Sequence, residues 1–166
     1  MQSFAYHSPT KLHFGVGVGA VVDHMADELT SSGCKTALVV TGSGSVRRNG
    51  ALDAVLKALE AAGVRAVEIS GIEPNPRVTS VDRATALCRA EDVDLVVAVG
   101  GGSTMDASKA ICAAAGHDGP AWDLVLENPA DLDARSELLW ASTLGCNSIA
   151  ALGSQASGWP CHAIEH

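Results

Sequence analysis

Apolar positions along this chain alternate between continuous runs and one-sided stripes. Ala37-Leu38-Val39-Val40-Thr41 and Leu95-Val96-Val97-Ala98-Val99 are runs rich in β-branched residues, which suit strands covered on both faces. Arg65-Ala66-Val67-Glu68-Ile69 reads as a further strand. Between the runs lie stripes of helical period. Val21, Val22, Met25 and Leu29 share one face of a helix that stops near Ser31-Ser32-Gly33. Leu52, Val55, Leu56 and Leu59 define a second helix, ended by Ala61-Ala62-Gly63, and a third runs from about Thr79 to Ala90 with Val81, Ala84 and Cys88 inward. Such alternation predicts an α/β fold, a Rossmann-like parallel sheet with helices on both faces. Before it, Phe4-Ala5-Tyr6 and Leu12-His13-Phe14 suit a hairpin or edge strand. Beyond Trp122-Asp123-Leu124-Val125 the pattern breaks. From about Leu132 to Ala151 the chain reads as helix, followed by a loop over 153–160 and the start of another helix at Cys161.

The densest chemistry sits after the Leu95 run. Gly100-Gly101-Gly102 removes every Cβ at a sharp turn, so an anion such as phosphate can approach bare backbone N–H groups. Ser103 or Thr104 is expected to cap the next helix, whose positive end favours the same anion, and Asp106 lies close enough to address a ribose or nicotinamide group. Glycine triplets also serve tight turns and close helix packing, so the motif alone leaves nucleotide binding and plain architecture both open.

Composition narrows the field. With 166 residues, 47% of them hydrophobic, the chain can bury a core. The net charge of −8 is spread along it, and Arg47-Arg48 is its densest basic pair, which argues against a nucleic-acid surface. No window approaches a membrane span and the first residues lack a signal-peptide layout, so a cytoplasmic protein without a membrane partner is expected. Cys34, Cys88, Cys112, Cys146 and Cys161 are widely spaced and read as buried free thiols. Trp122, Trp140 and Trp159 read as packing anchors. His7, His13, His24 and His117 have no partner spacing and read as surface or core residues. His162 and His166 are four apart, and a helix would set both imidazoles on one face, a spacing that divalent metal sites use, although exposed or packed histidines are commoner.

Together, Phe14-Gly15-Val16-Gly17, Glu73-Pro74-Asn75-Pro76 and the run from Gly100 to Lys109 resemble the iron-containing alcohol dehydrogenase family. The resemblance covers residues 1–126 as that family's nucleotide-binding domain. Residues 127–166 resemble a fragment of its all-helical metal-binding domain, through Ala134 to Ser142 and Trp159 to His166. It implies that near Leu126/Glu127 the chain passes over a second cofactor loop and a helix whose Asp and His bind metal. A shortened product and ordered segments of a longer enzyme both fit. The second leaves less apolar surface bare.

The resemblance further implies a metal-dependent, NAD(P)-linked alcohol dehydrogenase or aldehyde reductase acting on a small alcohol or aldehyde. Gly101, Gly102 and Ser103 would hold the pyrophosphate, Asn75 would bind cofactor, and Asp106 would contact the nicotinamide side. His162 would ligate a divalent metal, Fe or Zn, and His166 would sit beside the substrate in proton transfer. NAD-preferring members tend to carry an acid at the position of Gly42. Here that acid is absent, hydroxyls stand at Ser43 and Ser45, and Arg47 or Arg48 can pair with a phosphate, which favours NADP over NAD. A homodimer paired through the N-terminal edge is the expected assembly. Two other readings remain open at this point: a non-catalytic nucleotide-binding module, and a glycerol-dehydrogenase-like sister enzyme.

Overall fold

The computed structural model describes residues 13, 15–17 and 19–123, which fall within one compact unit, Met1–Val125. The expected N-terminal hairpin, the helical segment after residue 126, and His162 and His166 lie outside the described residues. The elements follow in the order α1 (Gly19–Ser32), β1 (Thr36–Thr41), α2 (Ser45–Arg48), α3 (Ala51–Ala61), β2 (Arg65–Ile69), α4 (Val78–Ala90), β3 (Leu95–Val99) and α5 (Gly102–Ala115). Each strand and long helix expected from the hydrophobic pattern over this span is present. The short α2 is set apart by Gly44 and Gly50, at φ 105° and 79°, where a side chain would be strained.

The strands form a parallel sheet in the order β2-β1-β3. Val39 of β1 lies opposite Glu68 of β2 and Val97 of β3. Because successive strand residues point to opposite faces, β1 feeds two cores. Leu38 and Val40 pack with Val81, Ala84 and Cys88 of α4 and Ala107, Ile111 and Ala114 of α5. Ala37 and Val39 pack on the other face with Leu29 of α1 and Leu52, Val55 and Leu59 of α3. Helices therefore cover both faces, as the sequence predicts.

Three expectations are corrected. The Leu95–Val99 run was expected to be covered on both faces, but β3 is an edge of the described sheet and its first four residues are only half buried. The fully buried strand is β1, flanked on both edges and both faces. Cys112 is exposed, although Cys88 is buried and Cys34 partly so, and all three thiols are free. Trp122 is 53% exposed and does not anchor packing among the described residues.

The entry to the sheet is fixed by a carboxylate. Asp94, just before β3, accepts hydrogen bonds from the backbone N–H of Lys35 at 2.9 Å and of Thr36 at 3.0 Å, while its own N–H donates to the Thr36 carbonyl. The bonds from Thr36 and Lys35 hold the Asp94 carboxyl below the usual carboxylate range. A lowered native pKa adds stability above the unfolded value of about 3.9 and loses it as pH falls through the native value. Asp94→Asn should therefore lower the melting temperature at pH 7, with the gap to the unsubstituted protein narrowing below about pH 4. Thermal melts across that range check it; a gap independent of pH would remove the charge from the account.

Candidate functional site

A parallel sheet gathers the loops that follow its strands at one end, and three such loops meet here. The chain leaves β1 towards β2, then returns across β1 to β3 on the opposite side, with α3 on one face and α4 and α5 on the other. The strand order therefore reverses between β1 and β3, and a crevice opens beyond their carboxyl ends, where ligands bind in open α/β sheets. In this structure the crevice is a cleft of about 200 Å³ lined by Gly42, Ser43, Ser45 and Val46 after β1, Ile72 and Pro74 after β2, and residues 100–104 after β3.

The loop after β2 is tied to the end of β1, since the N–H of Gly71 donates to the Gly42 carbonyl and that of Ile72 to the Thr41 carbonyl at 3.1 Å. Further along it, Ser80 Oγ donates to Glu73 Oε2 at 3.0 Å, which links this loop to the first turn of α4. A bond from its own backbone, the Ser80 hydroxyl, and then Arg77 and Arg83 together hold the Glu73 carboxyl below its ordinary range. Asn75 follows in the left-handed region at φ 56°, a conformation that Asn tolerates better than most residues.

The glycines of the turn have separate tasks. A Cβ on Gly100 would stand 2.6 Å from Thr104 Oγ1 and 3.0 Å from Thr104 Cβ, so Gly100 is required by packing inside the protein. A Cβ on Gly101 or Gly102 would meet nothing within 4 Å. These two leave open space in the cleft, over the first turn of α5, whose N–H groups have no partner within the helix. Such a cradle suits a phosphate approaching bare backbone.

Thr104, buried at 4% exposure, also lies 3.5 Å from the position a Cβ on Gly42 would take. It is therefore a spacer between the loops after β1 and β3. The expectation that Ser103 or Thr104 caps α5 is corrected: Gly101 is the cap residue and makes no side-chain bond. The glycine run lets the helix begin earlier, which places both hydroxyl residues inside its first turn.

Of the cofactor residues expected from sequence, Gly42, Ser43, Ser45, Gly101, Gly102 and Ser103 line this single cleft. Asn75 and Asp106 do not. Asn75 follows the lining residue Pro74, and Asp106 lies further along α5, where its exposed carboxylate accepts from Lys109 Nζ at 3.2 Å. Sequence reasoning missed Val46, Ile72, Pro74 and Thr104 as lining residues, and gave Gly100 only a place in the turn. Pro74 was signalled by its place beside Asn75; Ile72 and Val46 carry only the ordinary mark of a core residue.

Arg47 and Arg48 separate in space. Arg47 Nη2 pairs with Glu68 Oε2 at 2.6 Å, whereas Arg48 Nη1 lies 3.7 Å from the Cβ position of Gly44. Desolvation pushes the thiol of buried Cys88 up, and that of Cys112 as well although the residue as a whole is exposed, so neither is a poised thiolate. His13 stacks on His24 with ring centroids 4.6 Å apart. Among the described residues no cluster of three or more His, Cys, Asp or Glu side chains could hold a metal, and no helix is long and apolar enough to cross a membrane.

Comparison with known proteins agrees with this architecture. The family model described as iron-containing alcohol dehydrogenase matches residues 9–159. A probable NADH-dependent butanol dehydrogenase of Bacillus subtilis is 43% identical over 93% of this chain and 38% of its own length. An NADPH-dependent aldehyde reductase of Escherichia coli is 38% identical over 70% of the chain and 28% of its own. The crystal structure of an NADH-dependent butanol dehydrogenase A from Thermotoga maritima superposes with a TM-score of 0.67 at 37% identity, covering 75% of this chain and 30% of that one. The chain thus spans well under half the length of the relatives it matches.

The division of labour among the glycines is testable. Gly101→Ala should melt like the unsubstituted protein yet bind dinucleotide roughly tenfold more weakly, because its methyl enters the cleft. Gly100→Ala should lose about 1–3 kcal/mol of stability through the collision with Thr104. Denaturant unfolding and cofactor titration on both variants separate the two effects; equal stability losses would contradict the assignment.

Proposed function

We propose that this chain, which belongs to the iron-containing alcohol dehydrogenase family, forms the nucleotide-binding part of a metal-dependent, NAD(P)-linked alcohol dehydrogenase that works in reverse as an aldehyde reductase. The observation that carries this reading is the convergence of residues 42–45 and 100–104 in one cleft where the strand order reverses. When bound, the nicotinamide would exchange hydride with substrate carbon, and a divalent metal, Fe or Zn, would act as Lewis acid towards substrate oxygen.

The chain's own residues bind and orient. Gly101 and Gly102 leave room for the pyrophosphate against the α5 backbone, and the Ser103 N–H and hydroxyl add donors there. Ser43 and Ser45 offer hydroxyls to the adenosine ribose beyond β1. Asn75, next to Pro74, is assigned to cofactor binding, and Asp106 to contact with the nicotinamide side. Metal binding falls to His162 and proton transfer beside the substrate to His166. The substrate is a small alcohol or aldehyde, and the working assembly a cytoplasmic homodimer.

The relatives' names divide between NADH and NADPH. The charge pattern of the loop after β1 favours NADP. Gly42 offers no carboxylate to repel a 2′-phosphate, although an acid would fit, since a Cβ there makes only ordinary contacts of 3.5 Å to the Ile72 carbonyl and Thr104 Oγ1.

Two substitutions test the reading in the full-length enzyme. His162→Ala should abolish metal-dependent turnover of alcohols while cofactor titration stays nearly unchanged; undiminished turnover would refute the metal assignment. Gly42→Asp should lower the NADP-to-NAD ratio of kcat/KM about tenfold, and a ratio that holds steady would show that the cofactor is chosen elsewhere.

A further inference from the structure

We propose that Arg48, and not Arg47, is the residue that distinguishes NADP from NAD, and that Glu68 sets the strength of the distinction by neutralising Arg47. This rests on the cofactor reading above and deepens it.

The two arginines are adjacent on α2, where successive side chains point about 100° apart around the helix axis and cannot serve one anion alike. Arg47 reaches outward to β2, where Glu68 stands opposite Val39 and pairs with it at 2.6 Å. Arg48 turns back towards the loop after β1. Its N–H donates to the Gly44 carbonyl, and its guanidinium lies against Gly44, between the cleft-lining Ser43 and Ser45. Among the described residues no carboxylate forms an ion pair with Arg48.

The charge balance follows from these contacts. Arg47 and Glu68 cancel, which leaves the Arg48 charge against the loop that carries Ser43 and Ser45, at the end of the cleft assigned to the ribose. A 2′-phosphate would gain a charge-assisted bond there, whereas the 2′-hydroxyl of NAD gains little. The Arg47–Glu68 pair is half exposed, 55% and 37%, so it adds little to stability and can be altered without unfolding the protein. Removing the glutamate charge releases Arg47 as a second cation near the phosphate.

Calorimetric titration of the protein with NADP+ and NAD+ tests this, with thermal melts confirming that each variant folds. Arg48→Ala should weaken NADP+ about tenfold or more and leave NAD+ within about twofold. Glu68→Gln should tighten NADP+ about threefold without changing NAD+. The double variant Arg47→Gln with Glu68→Gln removes the pair as a unit and should leave the ratio of affinities within about twofold. The inference is overturned if Arg48→Ala weakens both cofactors equally or neither, or if the double variant abolishes the preference. Failure of the unsubstituted protein to bind either cofactor would overturn the cofactor reading and this inference with it.

Discussion

Complete burial of β1 is the constraint from which the rest of the structure follows. All six residues of Thr36–Thr41 are buried, so their backbone N–H and C=O groups have no recourse to water and must be paired within the sheet. Pairing on both edges requires β2 and β3, and parallel pairing requires that every connection cross back over a face. Those crossovers run through α4, which covers Leu38 and Val40 together with α5, and through α3, which covers Ala37 and Val39 together with α1. The same crossovers return each strand's exit to one end. The cleft is thus a by-product of satisfying one strand, and its position needs no further instruction.

Much of this was legible in the sequence because the relevant signals are local. Helical stripes such as Leu52, Val55 and Leu59, and glycine stops such as Gly63, are properties of a few neighbouring residues. What the sequence concealed depends on neighbours far along the chain. The Leu95 run looks as buried as the Leu38 run, yet β3 sits at an edge of the described sheet while β1 sits between two strands. Thr104 carries the mark of a helix cap and is instead a spacer, since its role depends on Gly42, more than sixty positions earlier. The loops that line the cleft stood out, because two of them are glycine-rich and follow apolar runs. Glu68 gave no sign at all: its partnership with Arg47 exists only once β2 has taken its register beside β1.

The proposed binding of an anionic cofactor to an acidic protein calls for a local explanation. The chain carries a net charge of −8, but at physiological ionic strength exposed charges are screened beyond about 8 Å. The groups at the cleft decide its character: backbone N–H groups over the first turn of α5, three serine hydroxyls, and the nearby Arg48. None of these depends on the global balance.

Thr104 also ties together positions that no reading of adjacent residues would group. Its side chain occupies a volume bounded on one side by Gly42 and on the other by Gly100, so these three residues share a single allotment of space between two loops. A larger side chain at Gly100 is compatible with the present loop spacing only if position 104 shrinks to match, whereas one at Gly42 meets Thr104 at ordinary contact distance. Descendants or designed variants that exchange residues 100 and 104 would therefore be expected to inherit them as a pair. Residue 42 can thus be re-tooled alone, while position 100 is tied to its partner four residues on.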